Sequence, residues 1–314
     1  MDFKLFKDII DKISIEKPSD NTVVSVFDWG EPTLHPELPR FIEYINSKGL
    51  ISRVSSNLNT NADLSRIIKA APDQFKISLS GTQKETYETT HKNGNLYLLK
   101  SNINRLKYLK DKFSSKTEFI FGFHVYKNNL YRDFNELKDL AKELDFKFEP
   151  IVAKLMPIEK VMAYLLQKGI IGKEYLQGIK TTITSKDFEL IKLLIFSPEA
   201  DHKKWISFAD SVRNSLTGFC KKRELKTSIA VDGSVPLCCG TFENQFKVSK
   251  NFLDETTENL HKKRLKNPFC KTCMELGLHL DLARSRVIDY SFSERPFSKS
   301  IRRIASELIG RPSS

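Results

Sequence analysis

At 314 residues, 40% of them hydrophobic, with a mean hydropathy of −0.37, the chain has room for one large domain with an appendage, or for two domains. The charged, amphipathic opening MDFKLFKDIIDKI lacks the apolar core of a signal peptide, and no stretch approaches bilayer length, so the expectation is a soluble, cytoplasmic protein with reduced thiols. The net charge of +12 is spread along the chain apart from the pair Lys203 and Lys204 and the runs Lys221–Arg223 and His261–Lys266; no recognition motif accompanies it, so nucleic acid is not the expected partner, whereas an anionic substrate or cofactor would use the same field.

The first half alternates between helix-like and strand-like segments. Residues 3–14 carry apolar positions at helical spacing, 22–29 (TVVSVFDW) read as a buried strand, and 37–48 as a helix ending at Gly49. A strand is predicted at 51–56 and a helix at 62–71, with Asn61 as N-cap and Asp63 in its first turn. Another strand at 75–80 (FKISLS) precedes helices near 83–90 and 96–113. A strand at 117–126, a helix at 130–144 and a strand at 146–152 follow. This rhythm predicts a parallel sheet or barrel with helices outside and chemistry at the strand ends.

From 157 to 215 the pattern is helical and irregular. Residues 226–231 and 234–238 read as a hairpin turning at Asp232-Gly233, and IRRIASELIG in the tail from 291 onward reads as a basic amphipathic helix.

The cysteines carry the strongest pattern. Cys220 is followed by twelve residues, Gly233, four more residues and Cys238, and Cys270-Lys-Thr-Cys273 closes the set. Two cysteines separated by two residues can reach one metal centre, and four thiolates saturate a tetrahedral zinc or an iron–sulfur cluster. Disulfides are the competing reading, set aside because the rest of the chain does not look secreted.

The loop after the first strand reads Trp29-Gly30-Glu31-Pro32-Thr33-Leu34-His35-Pro36. Gly30 allows a ligand close to the backbone, Glu31 offers a carboxylate to an ammonium group, and the prolines stiffen the turn. Small polar residues recur at later strand ends: Ser55, Ser56 and Asn57, then Ser78 and Ser80, then His124 and Asn128. Each could simply cap a loop; their ordered recurrence favours a hydroxyl-rich, amino-acid-bearing ligand.

The order WGEPTLHPEL, VSSNLNT, KISLSGTQKETYETTHKNGN and FGFHVYKNN resembles the radical S-adenosylmethionine (radical SAM) enzymes, as strands two to six of their partial (β/α)6 barrel. SIAVDGSVPLCCG and FCKTC resemble the auxiliary-cluster extension called SPASM or twitch. The resemblance implies an α/β fold: a partial (β/α)6 TIM-like barrel without its first strand over 1–155, a helical connection at 156–215, a small α+β Cys-rich SPASM/twitch domain at 216–285 and a basic tail at 286–314. It further implies that Gly30, Glu31 and Pro32 bind the amino group of S-adenosylmethionine, that Ser56 and Asn57 lie near the methionine moiety, and that Ser78 lies near the ribose. Lys92 falls where many members place an arginine toward the carboxylate, and Asn128 and Val152 at positions lining the nucleoside pocket. Cys220, Cys238, Cys270 and Cys273 match ligands of an auxiliary [4Fe–4S] cluster, with Cys239 a spare that could replace Cys238.

The sequence departs from that family in one respect. Its defining Cys-x-x-x-Cys-x-x-Cys loop, which holds the cluster that cleaves S-adenosylmethionine, is not in this sequence, which opens at what resembles the helix after that loop. The expectation is an N-terminally truncated radical SAM enzyme, inactive as written, whose second [4Fe–4S] cluster belongs to the missing segment. With that segment the resemblance implies a 5′-deoxyadenosyl radical abstracting hydrogen from a peptide or small-metabolite substrate, peptide or protein first, with a flavodoxin or ferredoxin as electron donor. The alternatives are a zinc-binding interaction protein and a non-catalytic radical-SAM-like partner.

Overall fold

The structure, a computed structural model, describes residues 1–16, 19–130, 132–153, 155–169, 171–176, 178–194, 220–276 and 278–279. Most of the expected connection beyond 194 and the expected tail helix lie outside the described residues. The chain divides into two compact units, Met1–Ile151 and the part from Val152 onward.

The first unit runs α1 (Phe3–Glu16), β1 (Val23–Ser25), α2 (Leu38–Ser47), β2 (Ile51–Ser56), α3 (Leu64–Lys69), β3 (Gln74–Leu79), α4 (Lys84–Thr90), α5 (Leu96–Lys112), β4 (Glu118–Val125), α6 (Arg132–Glu143) and β5 (Lys147–Val152). The strands form a five-stranded sheet in the order β1-β2-β3-β4-β5, with β1 to β4 paired in parallel. Parallel neighbours joined in chain order through helices are the β/α arrangement that the alternating pattern predicts.

Strict alternation in β2 and β3 explains how the sheet is covered. Val54, Phe75, Ile77 and Leu79 are fully buried, and the residues between them are half-exposed. That second face is polar: Arg53 Nε donates to Gln74 Oε1 at 2.5 Å, Gln74 Nε2 to Glu118 Oε2 at 3.0 Å, and Lys147 pairs with Glu118. Each fully buried Ile, Leu or Phe contributes roughly 1.5–3 kcal/mol. A separate cluster packs α1 on α2, with Phe6 stacked on Phe41 at 4.2 Å.

Two expected boundaries shift. The first strand is three residues rather than eight, because the chain bends over residues 28–30. The cap of α3 is Asp63, not Asn61: its carboxylate accepts the N–H groups of Ser65 and Arg66 at 3.0 and 3.3 Å.

The second unit contains α7 (Ile158–Gln167), α8 (Ser185–Leu194), α9 (Lys221–Glu224), β6 (Val235–Pro236), β7 (Lys247–Ser249), α10 (Thr257–Lys266) and α11 (Pro268–Glu275). One apolar core joins α7 to the cysteine-bearing segment, with Val161, Met162 and Leu165 against Leu237, Phe246 and Phe269. The predicted hairpin is corrected here. The turn exists, with Gly233 at φ +81° and Asp232 Oδ1 accepting the Ser234 N–H at 3.0 Å. Residues 226–231 are not a strand, however, and β6 pairs antiparallel with β7.

Candidate functional site

In the first unit the loop after β1 is organised by Glu31. Its Oε1 accepts the Thr33 N–H at 3.1 Å and the Thr33 hydroxyl at 2.6 Å, while Oε2 accepts the Asn57 N–H at 2.9 Å. Glu31 thus caps the single turn Pro32–Leu34, which Pro32 opens, and ties it to the end of β2. A Cβ at Gly30 would meet nothing within 4 Å, so the chain's own packing does not demand a glycine there. Asn57 Oδ1 accepts the Asn59 N–H at 2.9 Å, and the buried Ser56 hydroxyl accepts the Leu58 N–H at 2.9 Å.

Ser78 lies on the polar face beside Ser55, with their hydroxyls 3.2 Å apart. Strand alternation puts Ser56 on the opposite face, so Ser55 is the serine of β2 that shares Ser78's face. Lys92 is exposed in the turn after α4, and Asn128 is exposed in the turn after β4. The contacts in that second turn belong to the neighbouring Asn129, which is almost fully buried. Its amide donates to the carbonyls of Ser80 and His124 at 2.6 and 2.9 Å, and its Oδ1 accepts the Tyr126 N–H at 2.7 Å. Val152 closes β5.

Behind the end of β3 the buried Ser80 hydroxyl lies 2.6 Å from His91 Nδ1 and accepts from the Thr90 hydroxyl at 2.6 Å. Tyr87 stacks on the His91 ring at 4.5 Å. Burial pushes the imidazole below its ordinary value, which favours the neutral, hydrogen-bonding form. Sequence reasoning quoted this stretch without giving Tyr87, Thr90 or His91 a role.

In the second unit Cys220, Cys238, Cys270 and Cys273 line a single pocket. Cys220 precedes α9 and Cys238 follows β6; Cys270 and Cys273 share one face of α11, whose start is capped by Asn267. All five cysteines are unbridged, and Cys239 does not line the pocket. Ile158, Leu237 and Phe269 form apolar walls, and Lys222 and Arg223 add positive charge. Burial pushes the Cys238 thiol up to about 11, opposed by the Gly240 N–H that points at its sulfur from 3.3 Å. Burial also raises Cys270, against the pull of Arg223.

Among the described residues no three thiol, imidazole or carboxylate groups are gathered so as to hold a single metal ion. Arg264 is 3% exposed, and its buried Nε and Nη2 have no hydrogen-bond partner among the described residues. Four cysteines on one pocket match in number the donor set of a four-thiolate cluster. Sequence reasoning noted the two basic runs that carry Lys222, Arg223 and Arg264 without giving any of the three a role.

Comparison with protein-family models and with curated proteins finds no match. Solved structures do match. Native anSMEcpe with bound AdoMet is 15% identical over 98% of this chain and 88% of its own length, with a TM-score of 0.51. A polyhistidine-tagged form of anSMEcpe, also with bound AdoMet, is 12% identical over 100% and 87%, with a TM-score of 0.52. The chain shares the fold of these structures. Among the described residues no helix is long and apolar enough to cross a membrane.

Proposed function

We propose that the chain acts in radical S-adenosylmethionine chemistry, binding S-adenosylmethionine at the strand ends of the first unit and one auxiliary [4Fe–4S] cluster on Cys220, Cys238, Cys270 and Cys273. The observation that carries this reading is the convergence of those four cysteines on one pocket, in a chain with the fold of AdoMet-bound anSMEcpe. Bound together, S-adenosylmethionine and reduced iron–sulfur clusters supply hydrogen-abstracting radical chemistry, and the protein's part is orientation and exclusion of water.

Glu31 holds the Gly30–Pro32 turn against the end of β2, presenting backbone carbonyls to the amino group of the cofactor. Asn57 and Ser56 shape the loop beside its methionine part, and Ser78, with Ser55 at its side, supplies hydroxyls to the ribose. Lys92 serves the carboxylate, and Asn128 and Val152 border the nucleoside. The proposed substrate is a peptide or protein side chain ahead of a small metabolite, and the proposed electron donor is a flavodoxin or ferredoxin.

The sequence has no Cys-x-x-x-Cys-x-x-Cys segment for a cleaving cluster, so the test measures binding. Iron, sulfide and zinc are determined on the chain purified and reconstituted without oxygen, with S-adenosylmethionine affinity measured alongside. About four irons and four sulfides per chain support the auxiliary cluster. One zinc without sulfide, and no S-adenosylmethionine binding, overturns the proposal in favour of a zinc-binding interaction protein.

A further inference from the structure

In the first unit the segments that follow β2, β3 and β4 are tied together around Ser80 and His91. The Ser80 hydroxyl, just past β3, lies 2.6 Å from His91 Nδ1 at the end of α4. The Thr90 hydroxyl donates to the same Oγ at 2.6 Å, closer than its alternative acceptor, the Tyr87 carbonyl at 3.2 Å. Ser80's own hydrogen is thereby left for His91, so Nδ1 is an acceptor and the ring proton sits on Nε2. From the segment after β4, the Asn129 amide donates to the Ser80 carbonyl at 2.6 Å. The His91 ring lies 8° from parallel on Tyr87, whose hydroxyl accepts from Asn59 Nδ2 in the segment after β2. Asn59 Oδ1 in turn accepts the Asn95 N–H at 2.5 Å. Ser80 and Tyr87 are wholly buried.

Four of these residues stand beside one that is assigned above to the cofactor. Ser80 lies two positions past Ser78, His91 precedes Lys92, and Asn129 follows Asn128. Asn59 donates its backbone N–H to Asn57 Oδ1 at 2.9 Å. Contacts drawn from the ends of β2, β3 and β4 and from the turn after α4 therefore share one fastening. Gly94 shows how closely that turn is drawn in. Its N–H donates to the His91 carbonyl at 2.8 Å, and a Cβ there would come within 2.8 Å of Tyr87 Cε1 and 2.9 Å of His91 Cβ. Burial favours the neutral imidazole that this arrangement needs.

We propose that His91 is a positioning residue for S-adenosylmethionine. By accepting the Ser80 hydrogen bond at Nδ1 it locks the ends of β2, β3 and β4 into the one arrangement in which Asn57, Ser78, Lys92 and Asn128 reach the cofactor together. The inference rests on the S-adenosylmethionine reading above. A ligand with an amino-acid end and a nucleoside end needs all of its contacts in place at once, and loops arranged beforehand spare it the cost of ordering them. His91 acts through its neighbours, without touching the cofactor.

The test is S-adenosylmethionine affinity, measured on the full chain reconstituted without oxygen, as wild type, His91→Phe and His91→Asn, each first shown to be folded by its melting temperature. Phenylalanine keeps a ring to stack on Tyr87 but offers no acceptor. Asparagine gives up the ring and places Oδ1 close to where Nδ1 stands. The expected result is affinity roughly tenfold weaker in His91→Phe and largely restored in His91→Asn. Equal affinities, an equal loss in both variants or a greater loss in His91→Asn would mark a residue that only packs and overturn the inference. Should the variants not fold, nitrogen NMR of the wild-type imidazoles decides the matter. An Nε2–H tautomer at His91 whose Nδ1 signal moves when S-adenosylmethionine is added supports the inference. An Nδ1–H tautomer, or a signal that cofactor saturation leaves in place, rejects it. Wild type that binds no S-adenosylmethionine sinks both this inference and the cofactor reading. Wild type that binds it, with unmoved affinity in His91→Phe, sinks this inference alone.

Discussion

Glu31 Oε2 accepts the backbone N–H of Asn57 at 2.9 Å, so a side chain from the loop after β1 closes the end of β2. The other oxygen of the carboxylate is engaged by Thr33, leaving the Gly30–Pro32 turn with one defined conformation. Hydrogen bonds to a charged group contribute about 1.5–3 kcal/mol each. Glu31→Ala is therefore expected to weaken S-adenosylmethionine binding roughly tenfold or more, with a modest fall in melting temperature. Equilibrium dialysis against labelled cofactor measures it, and unaltered affinity would remove the loop from the binding site.

Cys270→Ala with Cys273→Ala removes two of the four proposed ligands from one helix face. Iron and sulfide after reconstitution should drop to background while the first unit keeps its circular dichroism. Iron retained at the wild-type level would place the cluster elsewhere.

Gly240 and Glu159 tie α7 to the cysteine loop. The Ile158 N–H donates to the Gly240 carbonyl at 2.8 Å, and Glu159, wholly buried, accepts the N–H groups of Phe242 and Glu243 at 2.7 and 3.0 Å. A Cβ on Gly240 would come within 2.8 Å of Ile158 Cδ1 and 3.5 Å of Cys238 Sγ. Gly240→Ala is expected to destabilise the second unit by about 1–3 kcal/mol, as overpacking does, and to reduce metal retention. Glu159→Ala should do the same by stranding two backbone donors. Denaturant unfolding read alongside metal content checks both, and full stability in either variant would contradict the assigned contacts.

Lys160 and Asp187 join α7 to α8 at 2.5 Å. The Lys160 ammonium, helped by Thr184, holds the Asp187 carboxyl down to about 2. A depressed carboxylate contributes stability above its unfolded value of 3.8 that is lost as pH falls through the folded one. The expected contribution, reduced by solvent screening, is about 1–2 kcal/mol near neutrality, disappearing between roughly pH 4 and 2. Asp187→Asn should flatten that part of the stability–pH curve, and a curve identical to wild type would show the pair to be neutral.

The strand–helix alternation of the first unit was legible because its strands are long enough to carry a period: ISRVSS and QFKISL alternate strictly between faces. The β6–β7 pairing was not, since strands of two and three residues have no periodicity and their partners lie eleven and fourteen residues apart. Contacts within the candidate site were not legible either: a one-residue step in a strand reverses the face, so spacing did not show that Ser55 would lie beside Ser78 or that Asn129 would tie the turn after β4 to Ser80. The cysteine spacing brought out four residues that share a pocket, whereas Lys222, Arg223 and Arg264 were noted only as parts of two basic runs, because such a run does not reveal which of its members turns inward.

Cys273 belongs at once to the pocket and to the apolar core that α7 completes. Its sulfur is thus a packing atom as well as a candidate ligand. Oxidation there would add oxygens to an atom packed in the apolar core and so loosen the second unit as well as remove a candidate ligand.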